Sequence, residues 1–266
     1  MLTRAITGFF FIAVLIGAIL FGQISFTLFF SLVGLWCLHE FYGIVRSERV
    51  NPSVFFGLLA AFVMALLIGL YCLSVIPLAK VWGFVPFVAF ILIAALYQKS
   101  KLPFHDIAYT LFGICYACVP FLFFVGLGFI QGSYNPYIPL GFMIMLWAND
   151  TGAYLSGRSF GKHKLFERIS PNKTWEGFIG GVLLALVIAL NLEQYFGSLP
   201  MWQWASMAII IGVFGTLGDL VESMLKRSLG VKDSGNILPG HGGLLDRFDG
   251  LLIAAPLVYV FLLLIS

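Results

Sequence analysis

The sequence predicts an all-α, polytopic integral membrane protein with about nine transmembrane helices, organised as a single membrane domain over residues 1–266. Three observations carry this expectation. Of the 266 residues, 61% are hydrophobic and only 10% are charged, whereas soluble domains run near half and a quarter. Mean hydropathy is +1.01, and the apolar runs are about 20 residues long, the length a helix needs to cross a hydrocarbon core of roughly 30 Å. The runs also lack the apolar/polar alternation of an outer-membrane barrel.

Breaks in hydrophobicity place the spans at roughly residues 5–22, 24–45, 54–75, 81–97, 106–130, 136–157, 175–195, 203–225 and 250–265. Arg4 ahead of an apolar run could suggest a signal peptide, but no small-residue cleavage site follows and a second apolar run begins almost at once. The first run therefore reads as a membrane anchor, joined to the second by a tight turn at Gly22-Gln23. Residues 1–130 are mainly scaffold; 140–250 hold the polar spans and loops, and 250–265 form the last span. The spans of the scaffold hold few polar residues; His39 and Glu40 stand out and are either functional or long enough to reach the headgroups. All four cysteines lie inside apolar runs. Cys115 and Cys118 form a C-x-x-C without a second pair or a nearby histidine, which favours packing over redox or metal chemistry.

If the spans alternate, fourteen of the fifteen lysines and arginines fall on one side, and only Lys80 falls on the other. Under the positive-inside tendency this makes the N-terminus and the two long polar loops cytoplasmic, with Ser266 outside. The expected location is the cytoplasmic (inner) membrane.

The chemistry gathers after residue 140. In Trp147-Ala-Asn-Asp-Thr-Gly-Ala-Tyr-Leu-Ser-Gly-Arg158, Asp150, Tyr154 and Arg158 recur at steps of four and share a helix face. A carboxylate near the middle of a span is costly, so Asp150 calls for a wet cavity, a cation or a basic partner such as Arg158. Ser170-Pro-Asn-Lys-Thr-Trp-Glu176 reads as a turn into a helix. Thr174 and Glu176 are suited to satisfy exposed amides there, and Lys173 supplies a compact charge beside an anion at the helix start. Further on, Asp219, Glu222, Ser223 and Lys226 form one stripe at steps of three, four and seven, which suggests a cation site beside an anion site.

The stretch from Ser223 to Gly250 contains four basic residues, three aspartates and a histidine interleaved with glycines. It continues through Arg227, Lys232 and Asp233 to Pro239-Gly-His-Gly-Gly243, where glycines admit a ligand close to the backbone. His241 could bind phosphate, bind metal or move a proton. Asp246 and Asp249, if helical, lie one turn apart and suit Mg²⁺; Arg247 suits a phosphate. Carboxylates for a metal alongside many cations point to phosphoryl or nucleotidyl transfer, in which positioning and charge neutralisation do most of the catalysis.

This last pattern, Ser223, Lys226-Arg227, Lys232-Asp233, Gly235, Leu238-Pro239, His241-Gly242-Gly243, Asp246-Arg247 and Asp249, resembles the signature of the phosphatidate cytidylyltransferase (CDP-diacylglycerol synthase) family. The segments Asn149–Tyr154 and Ser170–Gly177 are also similar, so the resemblance covers roughly residues 147–250. It implies a nucleotidyltransferase that makes CDP-diacylglycerol and pyrophosphate from CTP and phosphatidic acid, with Mg²⁺ required and a second cation left open. It also implies a homodimer and no nucleic-acid partner. Carried onto this sequence, it implies a metal role for Asp219, Asp246 and Asp249. Phosphate contacts fall to Lys173, Ser223, Lys226, Arg227, Lys232, His241 and Arg247, with Asp150 and Asp233 completing the catalytic set. Two other readings remain open from the residues alone: a CTP-dependent polyprenol kinase passing on the γ-phosphate, and a transporter with Asp150 and Asp219 in its ion path.

Overall fold

The computed structural model describes residues 2–237 and 242–265, with side chains described from residue 7. Each predicted span is a helical segment. In the first half these are α1 (Leu2–Leu20), α2 (Gln23–Val45) and α3 (Val54–Cys72), then α4 (Leu78–Val81) running through a 3₁₀ turn into α5 (Val85–Tyr97). After them come α6 (Pro103–Gly113) and α7 (Val119–Leu127). The second half has α8 (Tyr137–Phe160), α9 (Trp175–Phe196), α10 (Met201–Ser228) and α11 (Asp249–Ile265).

Among the described residues, six segments are long and apolar enough to cross a membrane: Gln23–Val45, Val54–Cys72, Leu78–Tyr97, Pro103–Leu127, Trp175–Phe196 and Met201–Ser228. Thr7–Leu20 and Asp249–Ile265 are shorter apolar helices. At 24 residues α8 is long enough, but the polar run from Asn149 to Arg158 lowers its hydropathy. The 28 residues of α10 extend about 42 Å at 1.5 Å per residue. That exceeds a hydrocarbon core of roughly 30 Å, so its charged last turns, Asp219 to Arg227, need not sit in lipid.

The chain divides into two compact units. One comprises Met1–Gly126 and Asp233–Arg247, the other Leu127–Lys232 and Phe248–Ser266. The Ser223–Gly250 stretch, continuous in sequence, is thereby shared between them.

In the first unit α2 is the central helix. Phe26, Phe30 and Phe124 pack in tilted and edge-to-face contacts with centroids 4.7–5.8 Å apart. Tyr42 Oη donates to the Thr110 carbonyl at 2.8 Å. The connection between α2 and α3 is tied to α6 by Asn51 N–H donating to Asp106 Oδ1 (2.6 Å) and Ser53 N–H donating to Thr110 Oγ1 (2.8 Å). Between α6 and α7 the helix widens to a π turn at Ile114–Cys118, just before Pro120, which has no N–H to give the preceding turn. Within that turn Cys118 is buried and Cys115 is exposed, and both are free thiols. Glu40 does not reach toward headgroups: it is 7% exposed and accepts from Trp36 of its own helix and from Ser234, Leu244 and Leu245, while His39 is exposed.

In the second unit α8 and α9 pack with their backbones nearly touching. A Cβ on Gly177 would stand 2.8 Å from the Ala153 carbonyl, and one on Gly152 2.8 Å from the Gly180 carbonyl, so only glycine permits this small-residue seam. The α8–α9 connection is a short antiparallel hairpin, β1 (Lys164–Phe166) with β2 (Ser170–Thr174), registered Lys164 to Thr174 and Phe166 to Ser170. The sequence reading of residues 170–174 as a simple turn is corrected accordingly. Pro171 is tolerated because a two-stranded hairpin leaves an edge free of ladder bonds.

Candidate active site

A cleft of ≈ 550 Å³ opens in the second unit, walled by α8, β2, α9 and α10. α8 contributes Asp150, Tyr154 and Arg158, the face predicted from steps of four. Arg158 Nη1 donates to Tyr154 Oη at 3.0 Å, so the arginine's partner on this face is the tyrosine and not Asp150. Asp150 itself is exposed and stands in the fields of Asp219 and Lys173.

Lys173 comes from β2. Its Nζ lies 2.5 Å from Asp219 Oδ2 and 3.5 Å from the Thr216 carbonyl, both on α10. Local sequence explains how a hairpin residue is held so firmly. Thr174 caps α9 by accepting from Gly177 N–H at 3.2 Å. Glu176 accepts from the backbone N–H groups of Lys162 (3.1 Å) and His163 (3.2 Å) and meets His163 Nδ1 at 2.6 Å. Trp175 N–H donates to the His163 carbonyl at 2.9 Å. The expected helix-start role thus falls to Thr174, while Glu176 clasps the two ends of the connection together.

The acid-and-base stripe on α10 forms as spaced. Ser223 Oγ donates to Asp219 Oδ1 at 3.3 Å, and Lys226 Nζ pairs with Glu222 Oε2 at 2.6 Å. This second pair is enclosed, with Glu222 1% and Lys226 13% exposed at the side chain. Lys226 therefore has an internal carboxylate partner, which competes with any phosphate it would bind. Glu222 itself was part of the predicted stripe but carried no assigned role.

Asp249 begins α11 and accepts from Gly250 N–H at 2.7 Å. It stands in the field of Asp219, Glu222 and Asp150. Hard oxygen donors in mutual repulsion are suited to a hard dication such as Mg²⁺, which takes one or two protein carboxylates and completes its shell with water and phosphate. Among the described residues no group of three or more His, Cys, Asp or Glu side chains forms a ready metal cage.

The remaining predicted residues lie elsewhere. Arg227 and Lys232 are exposed on the second unit. Asp233, Asp246 and Arg247 belong to the first, where Asp233 and Arg247 are exposed. His241 lies outside the described residues. Asp246 and Asp249 do not share one helix, because Leu245–Arg247 is a separate 3₁₀ turn and α11 starts only at Asp249. Asp246 spends Oδ2 on three donors of its own loop: Ser234 N–H (2.9 Å), Ser234 Oγ (3.0 Å) and Gly243 N–H (2.8 Å).

The helices and the cleft define a polytopic membrane protein with acidic and basic side chains, Asp150, Asp219, Lys173 and Arg158, gathered in one cavity. The model of the cytidylyltransferase family matches residues 2–265. A phosphatidate cytidylyltransferase of Staphylococcus haemolyticus is 35% identical over 266 residues, covering 99% of each chain. Enzymes of the same name from Staphylococcus aureus and Staphylococcus epidermidis are 44% and 43% identical over 167 residues, 62% of this chain and 63% of theirs. The chain belongs to the cytidylyltransferase family, and it is an enzyme.

Proposed function

We propose that this enzyme joins CTP and phosphatidic acid into CDP-diacylglycerol and pyrophosphate, on the cytoplasmic side of the cell's inner membrane, as a step of phospholipid synthesis. A phosphate oxygen of the lipid attacks the α-phosphorus of CTP, the new P–O bond forms, and the bond to the β-phosphate oxygen breaks to release pyrophosphate. The observation that carries this reading is the cleft in which Lys173 meets Asp219 beside Asp150, at the polar end of apolar helices.

The attacking group is already an anion, so a strong base is unnecessary and repulsion between phosphates is the barrier to lower. Lys173, held at the cleft by Asp219 and by the clasped hairpin, supplies a positive charge for which Asp219 and an incoming phosphate compete. Arg158, exposed on the α8 wall, has a planar fork suited to a second phosphate. Arg227 and Lys232, exposed after the stripe, draw anionic substrates toward the site. Ser223 orients Asp219. Asp219, which lines the cleft with Asp150, and Asp249 would hold Mg²⁺, which when bound neutralises charge on the nucleotide phosphates.

Isotope placement tests the reading. With CTP labelled at the α-phosphate, label should enter the lipid product; with CTP labelled at the γ-phosphate, it should leave with pyrophosphate. Label passing from the γ-position to lipid would replace this reading with a kinase.

A further inference from the structure

From the first unit we infer that Glu40 is a positioning residue: through its carboxylate, α2 fixes Ser234 and the Leu244–Leu245 backbone in the conformation the reaction uses. The inference rests on the cytidylyltransferase reading above. Glu40 lies 194 or more residues before its loop partners and has no sequence neighbour in the signature.

The geometry is specific. Oε1 accepts from Trp36 Nε1 (3.2 Å), on the same helix, and from Leu244 N–H (3.0 Å). Oε2 accepts from Leu245 N–H (2.9 Å) and from Ser234 Oγ (3.1 Å). Two consecutive backbone amides thus point at the two oxygens of one carboxylate. A buried carboxylate is costly unless hydrogen-bonded, and four donors, three of them from the loop, compensate it. Ser234 Oγ also lies 3.0 Å from Asp246 Oδ2, so its single proton is shared between the two acids and links Glu40 to Asp246.

Gly243 shows how closely the parts fit. A Cβ there would overlap both Ser234 Oγ and Glu40 Oε2, so any side chain forces the loop off its anchor. Solvating a headgroup-level glutamate needs none of this. A structural carboxylate could satisfy a loop anywhere, but this one fixes the segment that carries Asp233, Asp246 and Arg247, on both flanks of the Gly-His-Gly-Gly run.

The test uses full-length protein in detergent micelles. Glu40→Gln retains the shape but turns one acceptor into a donor facing donors; Gly243→Ala retains Glu40 but pushes the loop away. For each variant, kcat and KM for CTP and phosphatidic acid are measured beside amide hydrogen exchange. Both variants should lose at least tenfold in kcat with KM for CTP within threefold, while Leu244 and Leu245 amides exchange at least tenfold faster and those of α9 keep their protection. Glu40→Asp, which keeps the charge, should recover part of kcat. Wild-type kcat in Glu40→Gln despite faster loop exchange overturns the inference. So does a loss of kcat with unchanged loop exchange, or a loss of protection spread equally through α9. Should Glu40→Gln not fold, Ser234→Ala takes its place, with a kcat loss of at least threefold expected and none overturning. Absence of turnover in the wild type contradicts the functional reading instead, and leaves the exchange comparison to decide the anchoring.

Discussion

At the scale of single residues, the same chemical group serves different ends according to what encloses it. Lys173 and Lys226 are both lysines near carboxylates, yet Lys173 faces a cleft and Lys226 is closed against Glu222. Breaking an enclosed pair by removing one partner costs about 3–5 kcal/mol, whereas replacing both by apolar residues is often neutral. Lys226→Ala should therefore lower the detergent unfolding temperature, and Lys226→Met with Glu222→Leu should restore it; unequal behaviour in the opposite sense would show Lys226 acting mainly on substrate. Asp219→Asn removes the charge that holds Lys173 and should reduce kcat/KM by about 10²-fold, the scale of losing one preorganised electrostatic contact. Steady-state kinetics with CTP reads this directly. The positions of these groups on α8 and α10 were legible because steps of three and four are visible in sequence. Which cation meets which anion was not, since Lys173 finds Asp219 across 46 residues and Glu40 finds Ser234 across 194.

Among elements, the α8–hairpin–α9 assembly does most to shape the cleft. Its seam depends on Gly177 lying against the Ala153 carbonyl. Gly177→Val places branched carbons against backbone that cannot yield, and overpacking of this kind costs about 1–3 kcal/mol. Activity should fall along with unfolding temperature. Thr174→Ala should cost about 1 kcal/mol through the lost cap, with a smaller loss of activity because Glu176 still clasps the hairpin; equal loss in both variants would contradict this division of labour. Helices were legible in the sequence because long apolar runs in a bilayer leave the backbone few alternatives. The hairpin was not, because eleven mostly polar residues around Pro171 carry no alternation, and its pairing is decided by Glu176 gathering the amides of Lys162 and His163.

For the whole molecule, the signature that looks continuous from Ser223 to Gly250 belongs to two compact units. Contiguity in sequence gave no hint of this, because only tertiary contacts assign a segment to a unit. Asp246 and Asp249, expected on one helix, are separated by the change from a 3₁₀ turn to α11. The fourteen-to-one distribution of basic residues predicts that a reporter joined after Ser266 reads as external and one inserted near Lys101 reads as cytoplasmic; the reverse result would invert the proposed orientation.

The central claim is that Lys173 and the acids around it carry out cytidylyl transfer. Its most direct measurement is CDP-diacylglycerol formation from CTP and phosphatidic acid by purified wild-type and Lys173→Met protein, with folding checked by thermal unfolding. The account predicts turnover in the wild type and a loss of about 10²- to 10³-fold in kcat for a folded variant. A folded Lys173→Met enzyme with wild-type turnover would contradict it.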